Sequence, residues 1–218
     1  DYPLMALSAN YVEVKTWYVD GSGGADFTTI QEAVTAANAG DTIIVKDGTY
    51  TENVVVDKSL VIRSENGAEQ TIVQAANTNA DVFKVTAENV TIDGFTVSGA
   101  TSMGRSGIVI WGSSSGSCTV INNKCVGNNR GITMEVSTKD NTISKNTCTR
   151  NDYYGIYLTN ATGNFITDNI CANNTDGSGF ALYLADKANN NTVSGNTSDS
   201  NKYGIRVKNA YSNTIFNN

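Results

Sequence analysis

Histidine is absent from all 218 residues of this chain. Its absence removes Ser-His-Asp and Cys-His catalysis, along with the commonest transition-metal ligand. Basic residues are in deficit: 15 Lys and Arg face 21 Asp and Glu, giving a net charge of −6 and a pI near 4.6. An acidic chain with no basic run is a poor candidate for following a phosphate backbone, so no nucleic-acid partner is expected. Proline occurs only once. No apolar stretch approaches the length of a membrane-spanning helix. Hydrophobicity is modest, but 20 glycines among regularly spaced Ile, Val and Leu indicate an ordered, turn-rich chain and argue against disorder. What the chain has in excess is asparagine, with 28 residues, seven of them in 1–121 and 21 in 122–218.

The excess coincides with internal repetition, which decides the fold. From Gly107 the chain reads GIVIWGSSSGSCTVINNKCVGNNR, then GITMEVSTKDNTISKNTCTRNDYY from Gly131 and GIYLTNATGNFITDNICANNTDGSGF from Gly155. ALYLADKANNNTVSGNTSDSNKY follows from Ala181, and a partial unit GIRVKNAYSNTIFNN begins at Gly204. The periods are 24, 24, 26 and 23 residues. Each unit holds two short alternating apolar runs, a strand signature. One column is Ile108, Ile132, Ile156, Leu182 and Ile205, and a second is Val120, Ile143, Ile166, Val193 and Ile215. A unit this short cannot bury its apolar face alone, so successive units must stack. The pattern predicts an all-β, right-handed single-stranded parallel β-helix. Leucine-rich repeats share the period but require a leucine framework and a helical half that this chain lacks.

Asparagine follows the same register. Asn123, Asn146, Asn169, Asn196 and Asn218 share one position; Asn128, Asn151, Asn174 and Asn201 share another, five residues later. Asn tolerates left-handed turns, and stacked amides can pair along the axis, so these columns are expected to be structural ladders. Cys125, Cys148 and Cys171 lie 23 apart and stack on neighbouring coils. Parallel Cβ vectors give poor disulfide geometry, so small buried thiols filling a narrow core are expected, the alternative being a buried thiolate site. Cys118 occupies the position of Asn141, Asn164, Asn191 and Asn213, and is expected as a free thiol at a turn.

Upstream, short strands are expected at Thr42–Val45, Val54–Val56, Leu60–Ile62, Thr71–Val73, Val82–Val85, Val90–Ile92 and Phe95–Val97. Residues 28–38 carry Ile30, Ala33, Val34 and Ala37 at helical spacing, with Thr28 or Thr29 as the cap and Gly40 past the end. This amphipathic helix is expected to cover the open solenoid end. The domain organisation is therefore an extension over 1–16 and one β-helix domain over 17–218, regular from 107 onward.

WYVDGSGGADFTTIQEAVTAANAGDTIIVKDGTYTENVVVDKSLVIRSENG (17–67) resembles the opening of pectin-lyase-fold proteins. The GIYL…NFITDN and GIRV…NTIFNN units are similar to the parallel β-helix repeats of the NosD-type and carbohydrate-binding/sugar-hydrolase group. The resemblance implies a secreted or cell-surface protein of the kind common in archaea, methanogens especially, and in bacteria. It does not define an activity, because the scaffold carries lyases, hydrolases and inert surface modules. The copper implied by the NosD label does not carry over. Copper sites draw on His, Met and accessible Cys, and the three methionines (Met5, Met103, Met134) are scattered. No metal or other cofactor is expected, save Ca²⁺ under a lyase reading.

The outward columns of the first repeat strand are where chemistry can sit. One reads Val109, Thr133, Tyr157, Tyr183, Arg206; its neighbour reads Trp111, Glu135, Thr159, Ala185, Lys208. Ca²⁺-assisted lyase chemistry wants paired carboxylates, which are missing there. Arg206 or Lys208 with Tyr183 offers only a thin basic constellation. Sugar binding needs less, namely flat rings with polar groups beside them. Trp111, Glu135, Tyr157, Tyr183, Arg206 and Lys208 form that candidate surface, with Tyr154, Phe180 and Tyr203 in a further column. The bland alternative is that these rings only shield the solenoid. Asn89, Asn160, Asn173 and Asn190 fit the N-glycosylation pattern; Asn196 also fits but belongs to a ladder. The sequence therefore points to a surface module, structural or adhesive, engaging polysaccharide or glycoprotein glycans. The alternatives are a lyase or hydrolase acting on an acidic polysaccharide, and a subunit assembling end to end. The last unit breaks off in mid-repeat at Asn218, which fits either an open edge for stacking or a piece of a longer chain.

Overall fold

The computed structural model describes residues 13–112, 114–177 and 179–218. The chain winds into a parallel β-helix of about eight turns. Three parallel sheets run along it, one of nine strands and two of seven. The first sheet begins with Thr16–Val19 and Thr42–Val45 and ends with Thr192–Ser194 and Thr214–Phe216. The second runs from Gly48–Thr51 to Thr197–Asp199, and the third from Val54–Val56 to Tyr203–Lys208. Residues 1–12 of the expected extension lie outside the described residues. Lys15 and Thr16, assigned to that extension, join the first coil: the Lys15 carbonyl accepts from the Thr42 amide, and Thr16 pairs with Thr42.

Each sheet contributes a column of inward side chains. The first gives Ile43, Ile62, Ile92, Val120, Ile143, Ile166 and Val193, all buried. The third gives Phe83, Ile108, Ile132, Ile156 and Leu182 beside Val85, Ile110, Met134, Leu158 and Leu184. The second sheet was not predicted as a separate strand in the regular units, because each of its three-residue strands shows only one inward residue and so no alternation. Its column reads Tyr50, Val73, Val97, Cys125, Cys148, Cys171 and Ser198 in register. Cysteine thus takes over where valine leaves off, and all four cysteines are buried and unbridged.

Three corners join the sheets, and in the regular coils an asparagine is buried at each. The Asn146 amide donates to the Val120 carbonyl (2.9 Å), the Ser144 carbonyl (3.0 Å) and Asn169 Oδ1 (3.0 Å). Its Oδ1 accepts from both the backbone and side-chain N–H of Asn123, at 2.9 and 3.1 Å. Asn128, Asn151, Asn174 and Asn201 repeat this arrangement at a second corner. Asn141, Asn164, Asn191 and Asn213 do so at the third. Each amide therefore meets nearly its full hydrogen-bonding capacity without water. Where the repeats become irregular, Phe95, Ala100 and Cys118 stand in for asparagine and donate backbone N–H to Asn123, Asn128 and Asn141.

The left-handed backbone expected of the ladder residues belongs instead to the residue before each one. Asn122, Lys145 and Asp168 have φ of 57°, 56° and 56°, and Arg150 and Asn173 have 53° and 56°. The ladder asparagine itself only closes the corner. A lysine or arginine in this region is strained by roughly 1–2 kcal/mol, which the ladder bonds must offset.

The helix spans Ile30–Ala36, shorter than the predicted 28–38, with Thr29 as N-cap accepting from the Glu32 amide. Ile30, Ala33 and Val34 are buried against the first coil. Two side chains fasten it. Glu52 accepts from the Ile30 and Gln31 amides at 2.9 Å each. Gln31 Oε1 accepts from the Val55 amide at 2.8 Å, so the helix closes part of the free edge of the third sheet. Buried Asp41 accepts from the Lys15 amide, the Asn38 amide and Trp17 Nε1 at 2.8–2.9 Å. Burial alone would raise its pKa, but these donors together hold it below the ordinary carboxylate value.

Two adjacent residues should respond to mutation with opposite signs. Asn146→Ala leaves buried donors and acceptors unpaired on both neighbouring coils and should cost about 3–5 kcal/mol in urea unfolding. Lys145→Gly relieves the left-handed strain and should stabilise by up to about 1 kcal/mol. At the other end of the solenoid, Asp41→Asn should destabilise at neutral pH. Because the folded-state pKa is depressed, that difference should be lost as pH falls below about 4, and thermal melts across that range check it.

Candidate functional site

The outward face of the third sheet gathers Tyr154, Tyr157, Phe180, Tyr183 and Tyr203 into one cluster. Its strands Arg130–Glu135, Tyr154–Thr159, Phe180–Ala185 and Tyr203–Lys208 are in strict register, so Arg130, Tyr154, Phe180 and Tyr203 align at the strand starts. Thr133, Tyr157, Tyr183 and Arg206 form the next row. Inward Ile156 and Leu158 anchor the Tyr157 strand, so Tyr157 projects from the opposite face.

The rings form a continuous set. Tyr154 stacks on Tyr157 at 4.7 Å, and Tyr157 meets Tyr183 at 5.5 Å. Phe180 lies 5.3 Å from Tyr183 and stacks on Tyr203 at 4.7 Å. A guanidinium closes each end: Arg130 lies 4.9 Å from the Tyr157 centroid, and Arg206 lies 5.1 and 5.2 Å from Phe180 and Tyr183. Tyr154, Tyr157 and Tyr183 are half-buried and Tyr203 is exposed, whereas Phe180 is buried beneath them. A shallow depression of about 620 Å³ lies against Phe180, Tyr203 and Arg206.

Of the six sequence candidates, the structure brings Tyr157, Tyr183 and Arg206 into contact. Glu135 joins them through Arg130, whose Nη1 donates to Glu135 Oε1 at 2.8 Å with both side chains partly buried. Burial raises the Glu135 pKa, an effect the Arg130 charge opposes. Trp111 stands apart, its ring taken by Lys84 Nζ at 4.9 Å, and Lys208 is exposed at the far end of the last strand. Arg130 was missed by sequence reasoning. The signal was present, since Arg130 precedes Gly131 as Tyr154 precedes Gly155.

The candidate glycosylation residues differ in setting. Asn89, Asn173 and Asn190 are exposed in left-handed turns. Asn160 is half-buried and donates to Ser137 Oγ at 3.0 Å. Asn196 is buried in its ladder.

The fold is that of a pectin-lyase-like parallel β-helix. The chain belongs to the family described as "Periplasmic copper-binding protein (NosD)", whose model matches residues 34–218. It is 37% identical over 99 residues to a "Cell surface glycoprotein" of Methanothermus fervidus; the match covers 44% of this chain and 15% of that protein. Among solved structures it is similar to a pectate lyase (TM-score 0.64, 17% identity, 85% of this chain and 55% of that one). It is also similar to the pectin methylesterase from carrot (TM-score 0.65, 17% identity, 88% and 63%). A third likeness is to the catalytic domain of an alpha-1,3-glucanase in complex with tetrasaccharides (TM-score 0.68, 17% identity, 94% and 40%). At these identities the solved structures share the fold alone. The family and the methanogen relative place the chain outside the cytosol, secreted or at the cell surface. Among the described residues, no helix is long and apolar enough to cross a membrane.

The copper in the family description finds no matching donor set. Cys125, Cys148 and Cys171 follow one another along the axis and do not converge, and they are buried. Hydrogen bonding to neighbouring thiols, together with burial, pushes Cys148 and Cys171 well above the ordinary thiol range, the opposite of what a thiolate ligand needs. Among the described residues, no three His, Cys, Asp or Glu side chains cluster to hold a metal ion. The folded protein should therefore react with a thiol reagent such as Ellman's more than a hundredfold more slowly than the denatured chain, in which all four cysteines should titrate. Rapid modification of the native protein would show that the stack is accessible.

Proposed function

We propose that this surface β-helix module engages glycans through the outward face of its third sheet and serves a structural or adhesive role. The observation that carries this reading is the contiguous ring cluster bounded by Arg130 and Arg206. Partly exposed tyrosines offer flat apolar faces to sugar C–H groups, while their hydroxyls and the arginines supply the polar contacts that fix orientation. Simple shielding of the solenoid accounts less well for rings that touch one another across three successive coils of one sheet, whereas exposed rings elsewhere, such as Phe165 and Phe216 of the first sheet, stand outside the cluster. Support by analogy comes from the fold's solved relatives, including the glucanase with tetrasaccharides and a pectin methylesterase in complex with a hexasaccharide.

A catalytic reading draws on Glu135, because a partly desolvated carboxylate with a raised pKa is a common acid or base. The module reading is preferred because Arg130 already engages that carboxylate and no second free carboxylate stands beside it in the register.

On a glycan array, Tyr157→Ala and Tyr183→Ala should each weaken binding at least tenfold, about 1.4 kcal/mol, while thermal stability stays close to wild type. Unchanged binding by both variants rules out this face. Release of unsaturated uronate, followed by ultraviolet absorbance over a panel of acidic polysaccharides, would establish the lyase instead.

A further inference from the structure

We propose that the ring cluster selects an acidic oligosaccharide, with Arg206 holding the sugar's carboxylate or sulfate at one end. This inference rests on the glycan reading above and adds the chemical class of the ligand. The two ends of the cluster carry the same kind of side chain in opposite electrostatic states. At one end, Arg130 is neutralised by Glu135, and nearby Arg105 lies 3.8 Å from Asp81, which also accepts from the Ser106 amide. At the other, Arg206 is exposed against Phe180 and Tyr183. Lys202 lines the same depression as Arg206, and Lys208 lies two residues beyond Arg206 at the end of the strand. Among the described residues none of the three has a carboxylate within ion-pair distance. Asp186, which follows Ala185 in the register beside Lys208, accepts instead from Asn209 at 2.9 Å.

A guanidinium resting against rings keeps its N–H edge for an oxyanion, and that edge fits a carboxylate or sulfate in a bidentate way. The molecule as a whole is acidic, with a net charge of −6, so an acidic glycan gains nothing from long-range attraction. Discrimination must arise at this cationic end. From the Arg130 coil to the Arg206 coil is three inter-strand steps, roughly 14 Å, which suits a short oligosaccharide. Its neutral sugars would lie over Tyr157 and Tyr183 and its acidic sugar would lie at Arg206.

The test is a titration of wild type and Arg206→Gln, followed by tyrosine fluorescence. Three probes serve: a uronic-acid oligosaccharide, the same oligosaccharide with its carboxyls reduced to alcohols, and a sulfated neutral oligosaccharide. Wild type should bind an acidic probe at least tenfold tighter than the reduced one, with an advantage that shrinks as salt is raised. Preference between the uronate and the sulfate tells which anion is read. Arg206→Gln should lose that advantage and bind the acidic and reduced probes equally, while an unchanged thermal melting point shows that it is folded. Arg206→Lys should fall between them. Equal binding of acidic and reduced probes by wild type overturns the acidic selection but leaves the glycan reading standing, as does an advantage that survives in Arg206→Gln. Failure of all three probes to bind removes both.

Discussion

The structure depends on one repeated interaction: a buried side-chain amide that accepts from the coil before it and donates to the coil after it. Parallel strands of three residues offer too few backbone bonds to fix their own register, and a slip of one residue would turn every inward Ile or Val to solvent. The ladders remove that freedom. Asn146 Oδ1 receives both N–H groups of Asn123, so the spacing of two corners is set by a single planar group. Aspartate could not donate onward, serine would not reach, and glutamine would overfill the corner. This is why asparagine, generally a weak strand former, is buried again and again in an all-β core.

Once the corners are fixed, the demands on the interior become matters of size. Two valines give way to three cysteines along the second sheet because the column has room there for a side chain of about that volume. The same narrowness explains the glycines that open the third-sheet strands. A Cβ on Gly131 would lie 2.4 Å from the Gly155 carbonyl oxygen, and one on Gly155 would lie 2.6 Å from that of Ala181. Cysteine's chemistry is suppressed in this setting. Thiols in a dry single file behave as small apolar groups.

Much of this was legible in the sequence because a solenoid writes its three-dimensional contacts as a period. The inward columns, two asparagine ladders and the cysteine stack could each be read from spacing near 23 residues. The third ladder was visible as a column through Asn141, Asn164, Asn191 and Asn213, but its burial was hidden, because spacing cannot tell a turn that faces water from one that folds inward. For the same reason the tolerance of asparagine for left-handed turns did not reveal that the left-handed residue is the one before the ladder position, Lys145 beside Asn146. The Arg130–Glu135 pair was missed because it lies within one strand, across a pleat, where the repeat carries no information.

The outward face of the third sheet is where this economy leaves freedom to vary. Backbone position is set by amides at the corners and by the inward columns, so outward residues can differ from coil to coil without cost to the fold. The row Lys84, Val109, Thr133, Tyr157, Tyr183, Arg206 shows no periodic identity at all, while the inward rows on either side hold to Ile, Leu, Val, Phe and Met. Val109 and Thr133 of that row are buried, and Thr133 shares a hydrogen bond with Ser106, but from Tyr157 onward the row turns into a ring cluster, with one arginine paired and the other open, whose composition the scaffold does not explain. That contrast separates the aromatic residues from the asparagines. The asparagines repeat because every coil needs the same bond, whereas the touching rings occupy only a few coils, the distribution that the proposed glycan contact calls for.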